Sequence, residues 1–135
     1  MADTLQLQIA TPERQLVDEQ VERVEVPGKD GYLGILPEHA PLLSALGAGV
    51  LSYASKGQEQ FLAIDGGFLE VLENHVRVLA EHAQFGREIN LEQARKELDE
   101  ARAEVDQPKP DVDPELALAR MRAAQARVDT AERAR

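Results

Sequence analysis

Two hydrophobic periods share this 135-residue chain, and the point where one replaces the other limits what it can fold into. From Leu5 to about Ala83 apolar residues come in short bursts with a spacing of two: Leu5/Leu7/Ile9, Val21/Val24/Val26, Val50/Leu51/Tyr53, Phe61/Leu62/Ile64, Phe68/Leu69/Val71 and Val76/Val78/Ala80. Alternation of this kind, broken by turn residues, predicts half-buried strands. Ser55-Lys56-Gly57, Asp65-Gly66-Gly67 and Glu73-Asn74-His75 fall between bursts and are read as hairpin turns. About eight to ten short strands are expected, in an antiparallel sandwich or barrel.

After Arg87 the period becomes helical. Leu91, Ala94, Leu98, Ala101 and Val105 advance by three and four, giving one apolar stripe on a helix from Glu88 to Asp106. Asn90, with Gln93 three residues on, predicts a capping box at its start. Three prolines between Gln107 and Pro114 forbid continuation. Asp113 then caps a second helix with Pro114 at its first position, and Ala117, Met121, Ala124, Val128 and Ala131 repeat the stripe. The expectation is α+β: an antiparallel β-sandwich over residues 1–86, then a helical hairpin over 87–135. Both stripes are rich in alanine. At about 0.8 kcal/mol per buried CH₂ against roughly 1–2 kcal/mol of backbone entropy per ordered residue, such a hairpin is marginal alone and able to open.

Charge narrows the partners. The chain carries a formal net charge of −10, which repels nucleic acid phosphates and anionic lipid. The balance is uneven: residues 1–86 hold five basic and thirteen acidic side chains, whereas residues 116–135 hold five basic and two acidic. The first helix, with three basic and seven acidic residues, complements the basic second one, although exposed ion pairs contribute only about 0–1 kcal/mol each. No cysteine is present, so disulfides, thiolate metal sites and cysteine nucleophiles are excluded together. The amino terminus has neither the basic region nor the apolar core of a signal peptide, and no window is long and apolar enough to span a bilayer. The expectation is a soluble protein that stays in the compartment where it is made.

The densest local signal is Pro27 to Leu43, Pro-Gly-Lys-Asp-Gly-Tyr-Leu-Gly-Ile-Leu-Pro-Glu-His-Ala-Pro-Leu-Leu. Glycines at 28, 31 and 34 suit tight turns or close backbone approach, since only Gly takes positive φ without a Cβ clash. No Gly-Lys-Ser/Thr follows them, so they do not form a phosphate cradle. Pro37 and Pro41 fix φ and bias the residues before them toward extended backbone, which predicts a rigid exposed loop with His39 near its tip. His39, His75 and His82 lack metal-ligand spacing, and Ser44 sits in no nucleophile elbow.

This run, the Gly66-Gly67-Phe68-Leu69-Glu70-Val71 strand start and the two-helix carboxyl terminus together resemble the epsilon subunit of bacterial F-type ATP synthase, the homologue of the mitochondrial delta subunit. The resemblance spans essentially the whole chain. It implies a non-catalytic central-stalk rotor subunit on the cytoplasmic face of the cell membrane, attached to the membrane only through the complex. It implies binding to the gamma subunit and to the c-ring of the membrane sector, with Asp30, Tyr32, Glu38 and His39 on the ring side. It also implies that the hairpin, extended toward the alpha/beta catalytic hexamer, inhibits ATP hydrolysis, with Arg120, Arg122 and Arg127 meeting the beta subunit. No cofactor is required. Some members bind a regulatory ATP through an Ile/Leu-Asp-x-x-Arg-Ala motif, which is matched here by Leu91, Glu92 and Arg95, with Arg122 and Arg127 on the second helix. Glu92 stands where the motif has Asp, Lys96 where it has Ala, and Arg122 and Arg127 are five apart rather than four. The rival expectation is a sandwich adaptor whose hairpin binds an unrelated partner. A small hydrolase using His39 and a carboxylate is the third.

Overall fold

The structure, a computed structural model, describes residues 3–135. Eight strands come first: β1 (Leu5–Ala10), β2 (Gln15–Val21), β3 (Arg23–Gly28), β4 (Gly31–Ile35), β5 (Leu42–Ala45), β6 (Ala48–Ser55), β7 (Gln58–Leu72) and β8 (His75–Phe85). A single 3₁₀ turn over Gly86–Glu88 leads to the helices α1 (Leu91–Asp106) and α2 (Pro114–Arg133). Alternation does what its period dictates: in β1, Leu5, Leu7 and Ile9 are fully buried while Gln6, Gln8 and Ala10 are half-buried on the other face. The two-residue turns at Lys56-Gly57 and Glu73-Asn74 have positive φ at both positions, the geometry that matches the twist of a tight hairpin.

The strands form one sheet folded back on itself, in the order β2-β1-β8-β7-β6-β3-β4, with β5 joined to β7. Asp65-Gly66-Gly67 is not the expected hairpin turn. It lies inside β7, which is 15 residues long. Residues 58–65 of β7 pair with β6, residues 68–71 pair with β5, and β8 follows both halves without a shift of register. Gly66 (φ 75°) and Gly67 (φ 115°) therefore turn a corner, so that β7 and β8 belong to both layers. The β5–β6 link crosses this corner, with Leu46 N–H donating to Gly67 O at 2.9 Å and Gly66 N–H to Gly47 O at 3.2 Å. Nor is the sandwich wholly antiparallel: β1 pairs with β8 in parallel, Gln6 opposite His75 and Ala10 opposite Leu79. The main core lies between the layers and draws only on residues from Leu5 to Phe85.

The three spaced glycines are not equivalent. Gly28 and Gly31 face each other across the β3–β4 turn, and a Cβ on Gly28 would lie 2.6 Å from Gly31 O. Gly34, expected to be a turn residue, is instead ordinary strand opposite Glu25, and a Cβ there would meet nothing within 4 Å. Gly34→Val should therefore leave thermal stability within about 0.5 kcal/mol of the parent, as surface substitutions away from special backbone do. Thermal unfolding followed by circular dichroism measures this.

Asn90 caps α1, its Oδ1 accepting Gln93 N–H at 3.0 Å, but the Gln93 amide turns to Glu97 rather than back to the cap, so only half of the capping box forms. Asp113 caps α2 by accepting Glu115 N–H at 2.9 Å, with Pro114 at the first position. The α1 stripe is buried at Ala94 and Leu98, and Leu98, Val128 and Ala131 join Ala63 and Ile89 in a second small core. Packing is layered as sandwich, α2, α1: α2 touches β6, β7 and the 3₁₀ turn, while α1 packs on α2. This explains why Ala126 and Thr130, off the single predicted stripe, are also buried. Gly86 permits the close seat, because a Cβ there would lie 2.7 Å from Thr130 O and 2.8 Å from Ala134 Cβ.

Candidate functional site: docking surfaces of sandwich and hairpin

The chain between β4 and β5 reverses at Pro37-Glu38, and Glu38 rather than His39 is its tip. Glu38 is exposed with φ 71°, whereas His39 folds back half-buried, its N–H donating to Leu36 O at 3.1 Å and its Nδ1 lying 2.6 Å from Ala40 O. Glu38 N–H donates to Asn74 Oδ1 at 2.7 Å across to the β7–β8 turn. Asp30 is exposed in the β3–β4 turn. Tyr32, on β4, is 54% exposed, yet its hydroxyl accepts Val50 N–H at 2.9 Å and its ring covers Gly49. It therefore has a structural task beside any contact it makes. The β3–β4 turn lies at one end of β5, where Lys29 N–H donates to Ala45 O at 2.9 Å, and the Glu38 loop lies at the other. The four residues expected on the ring side thus form two clusters separated by the length of β5, about 13 Å for four strand residues.

A surface not foreseen from sequence runs across four strands. Ala45, Phe68, Leu79 and Ala10 are successive cross-strand partners on β5, β7, β8 and β1, and cross-strand partners share a face. Phe68 is 60% exposed and Leu79 53%, while Leu43, two residues before Ala45, is 73% exposed. The signal was present as apolar residues of both parities within one burst, Leu42-Leu43 and Phe68-Leu69, which mark strands with two apolar faces.

Hairpin arginines are engaged by carboxylates. Arg127 pairs with Glu97 of α1 and donates to Gln84 Oε1 of β8 at 3.3 Å, tying both helices to the sandwich. Arg95 pairs with Glu132 at 3.1 Å and Arg120 with Glu104 at 3.6 Å. Arg122 is exposed. Of the residues matched to the nucleotide motif, Leu91 is half-buried in the second core and Glu92 is exposed in the first turn of α1. Arg133 lies over the Phe61 ring, 4.8 Å from its centroid, and Arg135 donates to Ile89 O at 2.9 Å, so the last turn of α2 is held as well. Between β2 and β6 a cavity of about 900 Å³ is floored by Tyr53, whose hydroxyl is pushed above the usual phenol range by burial first and the Glu19 carboxylate second.

Comparison with known proteins agrees with this arrangement. The family described as "ATP synthase, Delta/Epsilon chain, beta-sandwich domain" matches residues 4–86. The ATP synthase epsilon chain of Solibacter usitatus (strain Ellin6076) is 50% identical over 133 residues, 98% of this chain and 99% of that one. That of Koribacter versatilis (strain Ellin345) is 45% identical over 96 residues, 71% of this chain and 68% of that one. Among solved structures, a chain of the Euglena gracilis mitochondrial ATP synthase, in an OSCP/F1/c-ring assembly, superposes with a TM-score of 0.83 at 23% identity, covering 93% of this chain and 80% of its own length. A chain from the central stalk/c-ring of the Tetrahymena thermophila mitochondrial ATP synthase does so with a TM-score of 0.59 at 16% identity, over 96% of this chain and 95% of that one. With an epsilon chain matched at half its residues from end to end, this chain belongs to the ATP synthase epsilon family.

Proposed function

We propose that the chain is the central-stalk epsilon subunit of an F-type ATP synthase, a non-catalytic part of the rotor that joins the gamma subunit to the c-ring. The observation that carries this beyond family membership is the apolar row Ala45–Phe68–Leu79–Ala10, flanked by Leu43, on a chain with net charge −10. An apolar strip of this kind on a charged surface marks a docking site for another protein, and gamma is its proposed occupant. The Glu38 and His39 loop at one end of β5 faces the c-ring, with Asp30 of the β3–β4 turn and Tyr32 of β4 as a second contact at the other end. Among the described residues no helix is long and apolar enough to cross a membrane, in keeping with attachment to the cytoplasmic face of the membrane through the complex.

The hairpin acts in regulation. Docked as it lies here, with Arg127 on Glu97 and Gln84, it leaves the hexamer free; extended, it brings the basic α2 against the beta subunits and inhibits hydrolysis. No separate observation favours a regulatory nucleotide at Leu91, Glu92, Arg95, Arg122 and Arg127, since Arg95 and Arg127 already hold carboxylates in the docked state.

Phe68→Asp tests the gamma surface. The ring is mostly outside the core, so the isolated chain should melt like the parent, while a charge placed at the centre of an apolar contact should weaken association with gamma by about 30-fold or more, the scale of an interface hot spot. Co-purification with gamma and the catalytic hexamer from native membranes is the readout. Undiminished recovery with the hexamer would move the gamma contact elsewhere, and absence of the parent chain from the complex would favour the adaptor.

A further inference from the structure

Two segments far apart in sequence meet at the ring-facing end, and each holds a residue in the left-handed region: Glu38 at φ 71° and Asn74 at φ 60°. For Asn74 the local turn supplies the reason, since a two-residue hairpin of this type requires positive φ and Asn tolerates it. For Glu38 it is the reversal over Leu36–His39, closed by His39 N–H on Leu36 O with Pro37 at its second position, which asks for positive φ at its third. Gly or Asn is the usual occupant of that position, so a Glu there gains from a contact that holds it.

What holds it is reciprocal. Glu38 N–H donates to Asn74 Oδ1 at 2.7 Å, and Asn74 Nδ2 donates back toward Glu38 Oε1 at 3.4 Å. Both ends of one amide are engaged, which sets its orientation. The turn is itself fixed to β1: Asn74 O accepts Gln6 N–H at 2.9 Å, and the neighbouring His75 Nε2 lies 2.7 Å from Gln8 Oε1. Asn74 therefore joins the loop over residues 36–41, the β7–β8 turn and the first strand.

We propose that Asn74 is a positioning residue for ring docking. It clasps the Glu38 loop to the β7–β8 turn, so that the surface offered to the ring is a composite of both segments rather than the loop alone. Leu36, 60% exposed, and Leu72, 48% exposed, each lie two residues before a partner of the clasp. Such a surface fits a partner that presents apolar side chains with polar groups at their edge. Holding Glu38 in place beforehand removes an ordering cost that docking would otherwise carry. The inference rests on the proposed reading that this end faces the c-ring.

Asn74→Gly is the test, because Gly accepts the positive φ of the turn while removing the amide. In the full-length chain, exchange of the Glu38 amide hydrogen should quicken roughly tenfold, as expected when an exposed hydrogen bond is lost, with the melting temperature within about 3 °C of the parent. Joining Asn74→Asp to Glu38→Gln reverses donor and acceptor in the side-chain arm and keeps an acceptor for the Glu38 N–H, so slow exchange should return. ATP-driven proton pumping by reconstituted enzyme carrying Asn74→Gly should fall by about half or more, the scale of a lost interface contact of modest weight. Unaltered Glu38 exchange in Asn74→Gly overturns the clasp. Quickened exchange with normal pumping, while Glu38→Ala with His39→Ala impairs pumping, overturns its role in docking. Normal pumping in both variants overturns the ring-facing reading and the inference with it.

Discussion

Gly67→Ala is expected to destabilise the sandwich by about 3 kcal/mol or more, combining the cost of a side chain at disallowed φ with overpacking against fixed backbone. Gly67 has φ 115°, and an added Cβ would overlap the Leu79 carbonyl oxygen and lie 2.8 Å from Ala80 Cα, both on the paired strand β8. Neither can move without breaking the β7–β8 ladder at the corner. Against a total stability of about 5–15 kcal/mol the loss is a large share, and the melting temperature should fall by roughly 10 °C. Gly66→Ala is the control. Its added Cβ would meet the Glu81 carboxylate, 2.7 Å from Oε2, and that exposed side chain can swing aside, so about 1 kcal/mol is expected from the backbone alone. Equal melting of the two variants would mean that the corner is not where the sheet is pinned.

Truncation after Arg87 is expected to raise ATP hydrolysis by the assembled enzyme severalfold while leaving synthesis nearly intact. The fragment should fold, because the main core uses only side chains between Leu5 and Phe85 and the hairpin core borrows only Ala63 from the strands. Substituting the arginines is less clean than removing the helices. On the proposed reading Arg127 has two tasks of opposite sign, since it ties α2 to Glu97 of α1 and Gln84 of β8 when docked and would supply positive charge were the hairpin to extend. Glu97→Gln separates them. It frees Arg127 without removing it, so the docked state loses about 1 kcal/mol, the upper range for a partly exposed pair, and hydrolysis should fall as the extended population rises about fivefold. Steady-state hydrolysis at low and high salt checks both variants. If truncation and Glu97→Gln leave hydrolysis at the parental rate, the hairpin has no part in regulation.

Much of this was legible in local sequence. The change of period near Arg87, the caps at Asn90 and Asp113 and the turns at Lys56-Gly57 and Glu73-Asn74 each follow from the chemistry of a few adjacent residues, and each is present. The failures share a cause. Asp65-Gly66-Gly67 carries the composition of a hairpin, but whether a Gly pair reverses a strand or bends it depends on which distant segment lies beside it, here Leu46-Gly47. The parallel pairing of β1 with β8 joins segments about seventy residues apart, and no local pattern encodes it. Proline pairing announced a stiff loop between residues 37 and 41, yet the reversal comes at Pro37-Glu38, closed by His39 N–H on Leu36 O, and the contact of Glu38 N–H with Asn74 joins segments 36 residues apart. For the hairpin, charge counts indicated complementary helices, but long side chains choose partners in three dimensions, so the match of Arg127 to Glu97 and Gln84 was beyond reach.

The shared strands have a mechanical consequence. In a sandwich whose layers are separate sheets, a twisting load can slide one layer over the other against side-chain contacts alone. Here β7 and β8 run through both layers in one register from Leu62–Phe85 to Leu72–His75, skipping only the Gly66–Glu81 pair at the corner, so the same slip would have to rupture backbone hydrogen bonds on both sides of it. Such a body is torsionally stiff along the ladder. A rotor carrying it would store little elastic energy in the sandwich, and any compliance would have to reside in other parts of the assembly.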